Sequence, residues 1–322
     1  MKLDRDRLFE WSWGIRPATV EEFDQMMASL DKHLTSLGAG PAQRPMNAAL
    51  LVSSKLGLSG TPLFVGSEER GEPFSPVDLL ARVGDWYDEN YGDKVKIDFS
   101  PGSIVVLLQG NLWELKMPKV WGRFQPFFNR DLTQNGPNLA RTNSPPVRHN
   151  ILCSVVGMTQ PFANRLTQDD MLHLAGRFVN GYEAMVCLDD LNGHDLFDEA
   201  RSDYRHSVDA LLTTREISKA RWDTAQCAEK VMKGLLGRDG HAYPTGAKGH
   251  DIEHLGGLVK EKLGIDLAAA DLALIFCSPQ VRYAEQVNTI EEAIAAHDAL
   301  VRTLQLLAKA EVHHRHLIKI GS

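Results

Sequence analysis

Between residues 215 and 287 the apolar residues recur at helical spacing in three successive stretches, and this restricts that part of the chain to a bundle of helices. In the first stretch Ile217, Ala220, Thr224, Cys227, Ala228, Val231 and Leu235 form one small-to-medium stripe, with Lys219, Glu229, Lys230 and Lys233 outside it. Small side chains along a stripe let another helix approach closely. In the second, Ile252, Leu255, Leu258, Val259 and Leu263 make a shorter stripe, entered through Gly249-His250-Asp251 and closed at Gly264. The third runs from about Leu267 to Cys277 and is stopped by Ser278-Pro279, just before Arg282-Tyr283.

Elsewhere the signals are mixed. Thr19 and Glu22 make a capping box ahead of Val20, Phe23, Met26, Met27, Leu30 and Leu34, so a helix is expected up to Gly38. Ser75-Pro76, with Asp78, opens another that buries Leu79, Leu80, Val83, Trp86 and Tyr87. The segment from Asn47 to Leu58 fits strand or helix equally. From Lys94 the period changes to two, since Val95, Ile97 and Phe99 alternate with Lys96 and Asp98. Ile104 to Leu108 and Leu112 to Met117 follow, and the three runs predict an antiparallel meander. Residues 135–150 read as an exposed loop rich in Pro and Asn, and Ile151 to Gly157 as a further strand. Thr167 and Asp170 cap a helix through Met171, Leu174, Phe178 and Tyr182, and Asn192-Gly193 marks the expected boundary. Beyond it the chain reads as helical, ending in a helix from Thr289-Glu292 whose face carries Ile290, Ala293, Ile294, Leu300, Val301, Leu304 and Leu307.

At 322 residues, 43% apolar, the chain is long enough for two ordinary domains, and a net charge of -7 argues against nonspecific coating of nucleic acid. Cys153, Cys187, Cys227 and Cys277 lie far apart without a C-x-x-C pair, as buried thiols of a reducing compartment would. The charged start MKLDRDRLFE is unlike a signal peptide, and no apolar run approaches about 18 residues, so a cytoplasmic protein without membrane spans is expected.

Ala228-Glu229-Lys230 followed by Lys233 on one helix, Gly249-His250-Asp251-Ile252 with Leu255 opening the next, and Arg282-Tyr283 ending a third make an ordered set. In that order and spacing the region of about residues 200–312 resembles a HEPN domain, a helical bundle named for its distribution and for nucleotide binding. Ribonucleases of that family carry an Arg followed at a fixed interval by a catalytic His. Here Arg282 is followed by Tyr283 where the family has a polar residue, and Val287 stands at the His position. Valine cannot move a proton, so the resemblance implies a bundle without ribonuclease chemistry. Arg201 and His206 repeat the interval on the wrong helix of the pattern.

Other constellations compete with plainer readings. His250, Glu253 and His254 match an H-x-x-E-H zinc spacing, but a helix start favoured by Asp251 explains the same residues. The tail with His313, His314 and His316 reads as a solvated helix end, and His297, on an apolar stripe, as a core histidine. Trp113, Trp121, Phe124, Phe127 and Phe128 interleave with Lys116, Lys119, Arg123 and Arg130, as single-stranded nucleic acid requires, although a strand and loop covering a core would look alike. No phosphate-loop, dinucleotide or serine-hydrolase motif is present.

The expectation is therefore an α+β N-terminal domain with a small antiparallel sheet over residues 1–190, followed by an all-α HEPN-like helical bundle over 195–316. Its function is expected to be non-nucleolytic binding of a nucleotide or RNA, with Arg282, Lys230, Lys233, Tyr283 and His250 around the phosphate, and with no catalytic residue, metal or cofactor. A homodimer through the bundle is expected from the long apolar face of the final helix. The alternatives are a ribonuclease using Arg201 and His206, or a purely structural dimerisation protein. A role in prokaryotic defence or toxin-antitoxin systems is implied by the resemblance alone.

Overall fold

The computed structural model describes residues 4, 7–58, 60–61, 63, 70–96, 98–119, 124–135, 146–214, 216–278 and 288–320, with 311–320 described as backbone alone. By contact the chain divides into two compact units, Met1–Asp98 and Phe99–Ser322.

In the first unit, α1 (Val20–Ser36) begins where the Thr19 side chain accepts from the Glu22 N–H. The ambiguous segment 47–58 lies largely in a helix, α2 (Arg44–Lys55), with proline in its first turn. α3 (Pro76–Tyr91) begins where Ser75 accepts from the Asp78 N–H. Met26, Leu30, Leu51, Leu79 and Val83 are fully enclosed between these helices. A polar link crosses the same unit: Arg44 donates to Asp31 at 3.2 Å and to the Tyr91 hydroxyl at 2.8 Å, and Tyr91 donates to Asp31 at 2.6 Å. Among the described residues the strand expected from Lys94 is not seen: Gly92–Val95 is a 3-10 turn, Lys96 folds back on Asp93 and Phe99 is 56% exposed, while Ile97 lies outside the described residues.

The second unit opens with a hairpin, β1 (Ser103–Leu108) against β2 (Asn111–Lys116), in the register Val105 to Glu114 and Leu108 to Asn111. Gln109 and Gly110 both have positive φ, 48° and 78°, as the two-residue turn that matches strand twist requires. A parallel pair follows, β3 (Phe124–Phe127) beside β4 (Val147–Asn150). The strand expected over 151–157 is instead a 3-10 turn, Ile151–Ser154, capped by the Asn150 side chain. Only Val155 and Val156 reach the sheet, Val156 donating its N–H to Glu114 at 2.9 Å.

The remaining helices are α4 (Gln160–Arg165), α5 (Gln168–Asp190), α6 (Leu196–Asp209, continued by a π turn), α7 (Ile217–Arg238), α8 (Ile252–Leu263), α9 (Ala269–Ile275) and α10 (Ile290–Ile320). The small stripe of α7 faces α6 as its composition predicts: the Ser207 and Thr224 hydroxyls meet at 2.7 Å, and a Cβ at Gly234 would lie 2.6 Å from the Phe197 ring. Much of the apolar face of α10 is taken up within the chain, since Ala293, Leu300, Val301, Leu304 and Leu307 are at most 1% exposed, while Ile290 and Ile294 on the same face are only partly buried. No helix among the described residues is long and apolar enough to cross a membrane.

The outer edge of β1 is closed by side chains from three helices. His297 of α10 accepts the Val105 N–H at 3.0 Å, Arg177 of α5 donates to the Val105 carbonyl at 3.3 Å, and the Tyr204 hydroxyl of α6 donates to the Ser103 carbonyl at 2.9 Å. These contacts place the hairpin and α5 in one unit with the bundle. The division accordingly falls at residue 98 rather than near Asn192-Gly193.

His297 is wholly buried, and burial together with the Arg177 charge pushes its pKa down to about 3. Unfolded, it titrates near pH 6.5 (about). Its contribution to stability is therefore complete above that value and is lost as pH falls toward the folded one, because the unfolded chain binds the proton more readily in between. Substituting Gln, which still accepts from Val105, is expected to flatten this part of the acid slope in urea unfolding. His297→Leu is expected to cost about 1–3 kcal/mol even at neutral pH, since it leaves a buried N–H unpaired.

Candidate functional site

Two turns of α7 carry Trp222, Ala225, Gln226 and Glu229 on a single face, and together with His250, Asp251, Ile252, Phe276 and Cys277 they line a cleft of about 350 Å³. Glu229 is its buried centre, 5% exposed. Its carboxylate accepts from Lys233 at 2.7 Å, from His250 Nδ1 at 2.9 Å and from the Gln226 amide at 3.2 Å. Three donors on two oxygens satisfy a carboxylate that burial would otherwise penalise.

The surrounding chain is arranged to allow this. His250 ends the 3-10 turn Gly246–His250, and Asp251 caps α8 by accepting from the His254 N–H at 2.9 Å. A Cβ at Gly249 would lie 2.7 Å from the Pro244 carbonyl oxygen and 3.0 Å from Lys233 Nζ, so glycine is what lets this turn approach α7. On the opposite rim Arg221 donates to the carbonyls of Leu274 and Phe276 at 3.0 and 2.9 Å, fixing the chain where it leaves α9. Burial pushes the Cys277 thiol up, with Arg221 pulling the other way.

The predicted phosphate residues separate. Lys233 and His250 meet at Glu229, whereas Lys230 turns to α6 and pairs with Asp203 at 2.8 Å and Glu199 at 3.1 Å. Burial works against the Lys230 charge, but its hydrogen bonds to Asp203 and Glu199 prevail and hold its pKa above the ordinary value. Lys230 and Lys233, expected together around a phosphate, are thus each paired with a carboxylate of their own. Arg282, Tyr283 and Val287 lie outside the described residues.

The competing motifs also resolve. His250 precedes α8 instead of lying on it, so His250 and His254 do not share a helix face, and among the described residues no group of three His, Cys, Asp or Glu is placed to hold a metal. Arg201 donates to the Leu188 and Leu191 carbonyls at 2.9 and 2.8 Å and pairs with Asp198, which makes it the cap of α5. Trp113 stacks on Phe162 at 4.7 Å between centroids and Phe124 lies among Phe178 and Tyr182, so these aromatics fill a core; Trp121 and Arg123 are outside the described residues.

Sequence reasoning left Glu229 outside the apolar stripe and passed over Trp222, Gln226, Phe276 and Cys277 as cleft residues. Ala225 and Met232, both buried, flank Glu229 at helical spacing; adding them to the stripe would have turned Glu229 inward. Comparison with protein-family models, with curated proteins and with solved structures finds no match for this chain.

The ionic centre generates a stability prediction. Glu229→Leu leaves Lys233, whose side chain is 12% exposed, without its carboxylate. The loss should be about 3–5 kcal/mol in urea unfolding. Most of it should return in the Glu229→Leu, Lys233→Met double variant, and equal losses in the single and double variants would show that the pair is not coupled.

Proposed function

We propose that the helical region is HEPN-like and that the protein is a non-nucleolytic cytoplasmic binder of a nucleotide or RNA, with the cleft beside Glu229 as its binding site. The observation that carries this reading is the cleft itself. Aromatic surface from Trp222 and Phe276 stands beside a polar wall in which Glu229 holds His250 and Gln226 in place. Its volume, about 350 Å³, falls in the range of small-molecule sites of about 300–1,000 Å³. Glu229, Lys233 and His250 are also residues on which the HEPN resemblance rests, and the cysteines are free thiols among the described residues, in keeping with a reducing compartment.

The phosphate end of the ligand falls to Arg282 and His250, since Lys230 is already paired. Arg282 follows the cleft-lining Cys277 in sequence. The ribonuclease alternative is disfavoured because the Arg201 guanidinium caps α5. Pairing of two copies and a place in prokaryotic defence or toxin-antitoxin systems rest on the resemblance alone.

Titration calorimetry of the full chain with nucleoside monophosphates and a short single-stranded RNA tests the reading. Binding is expected to weaken about tenfold or more in His250→Ala or Arg282→Ala, the worth of one charged hydrogen bond. Absence of binding to every one of these probes by a folded protein would sink it. RNA incubated with the protein is expected to stay intact; cleavage that disappears in His206→Ala would restore the enzyme alternative.

A further inference from the structure

The atoms left over on the cleft wall are selective. Both oxygens of Glu229 are engaged by Lys233, Gln226 and His250, so the carboxylate organises the site without facing a ligand. Gln226 donates its amide nitrogen to Glu229, which leaves its carbonyl oxygen without a protein partner among the described residues. His250 is held to the same carboxylate through Nδ1. Asp251 uses Oδ1 to cap α8 and keeps Oδ2 without a protein partner. The unpartnered atoms of Gln226 and Asp251 are thus both acceptors.

We propose that this cleft reads guanine, an inference that rests on the nucleotide-binding reading above and names the base. An acceptor wall needs a ligand edge made of donors, and guanine sets its N1–H beside its 2-amino group. Adenine offers one amino group flanked by ring acceptors, and uracil one N–H between two carbonyls; either would bring lone pairs against lone pairs. A site that presents acceptors disfavours analogues that lack the matching donors, because they set their own lone pairs against it. Trp222 and Phe276 supply the aromatic surface on which any base stacks, and so add affinity without choosing among bases.

The test is calorimetry of the full chain with GMP, IMP and AMP, repeated on Asp251→Asn. Asparagine caps a helix as well as aspartate does, so the variant should fold, but it puts an amide in place of the unpartnered carboxylate oxygen. GMP is expected to bind about tenfold or more tighter than AMP, with IMP, which lacks the 2-amino group, in between. In the variant the preference for GMP should shrink by about the same factor. Equal affinity for GMP and AMP would overturn the guanine assignment and leave nucleotide binding standing. A GMP preference untouched by Asp251→Asn would overturn its placement at this wall. No binding of any of the three would overturn both readings together.

Discussion

An isolated two-stranded hairpin is marginal in water, and its outer edge is a row of unpaired backbone groups. Here that edge is where the second unit is joined. Val105 and Ser103 direct their outer backbone groups at His297, Arg177 and Tyr204, one residue from each of α10, α5 and α6. The other strand is met by Val156 at Glu114. Hairpin and helices therefore depend on one another: the strands lack further partners to close their edges, and the three polar side chains lie in a core they could not enter unpaired. Burial holds Tyr204 well above its ordinary pKa and His297 well below, so both remain neutral, as a hydroxyl donor and an imidazole acceptor must.

Much of this was legible in the sequence, and the failures have identifiable causes. Helix starts with side-chain caps, at Thr19, Ser75, Thr167, Asp251 and Thr289, were readable because a cap is a local hydrogen bond between near neighbours. Strands were less so: 151–157 has strand-like composition, yet Ile151–Ser154 is a 3-10 turn and only Val155 and Val156 meet the sheet, because pairing is decided by distant residues. The boundary was misplaced for the same reason: Asn192-Gly193 is a true break between helices, but the contacts that join α5 to α10 span the whole second unit. His297 was recognised as a core histidine from its stripe. Arg177, between Leu174 and Phe178 on another stripe, could have been read the same way.

The cleft was half legible. His250 and Lys233 were singled out, and the structure brings them together. Lys230 was wrongly grouped with Lys233, because a spacing of three residues fixes a face and not a neighbour. From that face one lysine reaches α6 and the other the turn ahead of α8. Which way each goes is set by the carboxylates waiting there, Asp203 and Glu199 on one side and Glu229 on the other.

That division bears on why a buried ionic centre is present at all. Replacing a buried ion pair by apolar side chains of similar volume is often neutral or stabilising, by up to about 4 kcal/mol. Stability is thus a weak reason for Glu229 and Lys233 to sit where Ala225 and Met232 show that apolar residues fit. What the carboxylate does supply is direction. It holds the His250 ring by one nitrogen and the Gln226 amide by its NH₂, leaving the amide oxygen as an acceptor. A carboxylate that is fully engaged, beside an imidazole whose side chain is 51% exposed, is an arrangement suited to positioning a ligand and poorly explained as a means of closing a core.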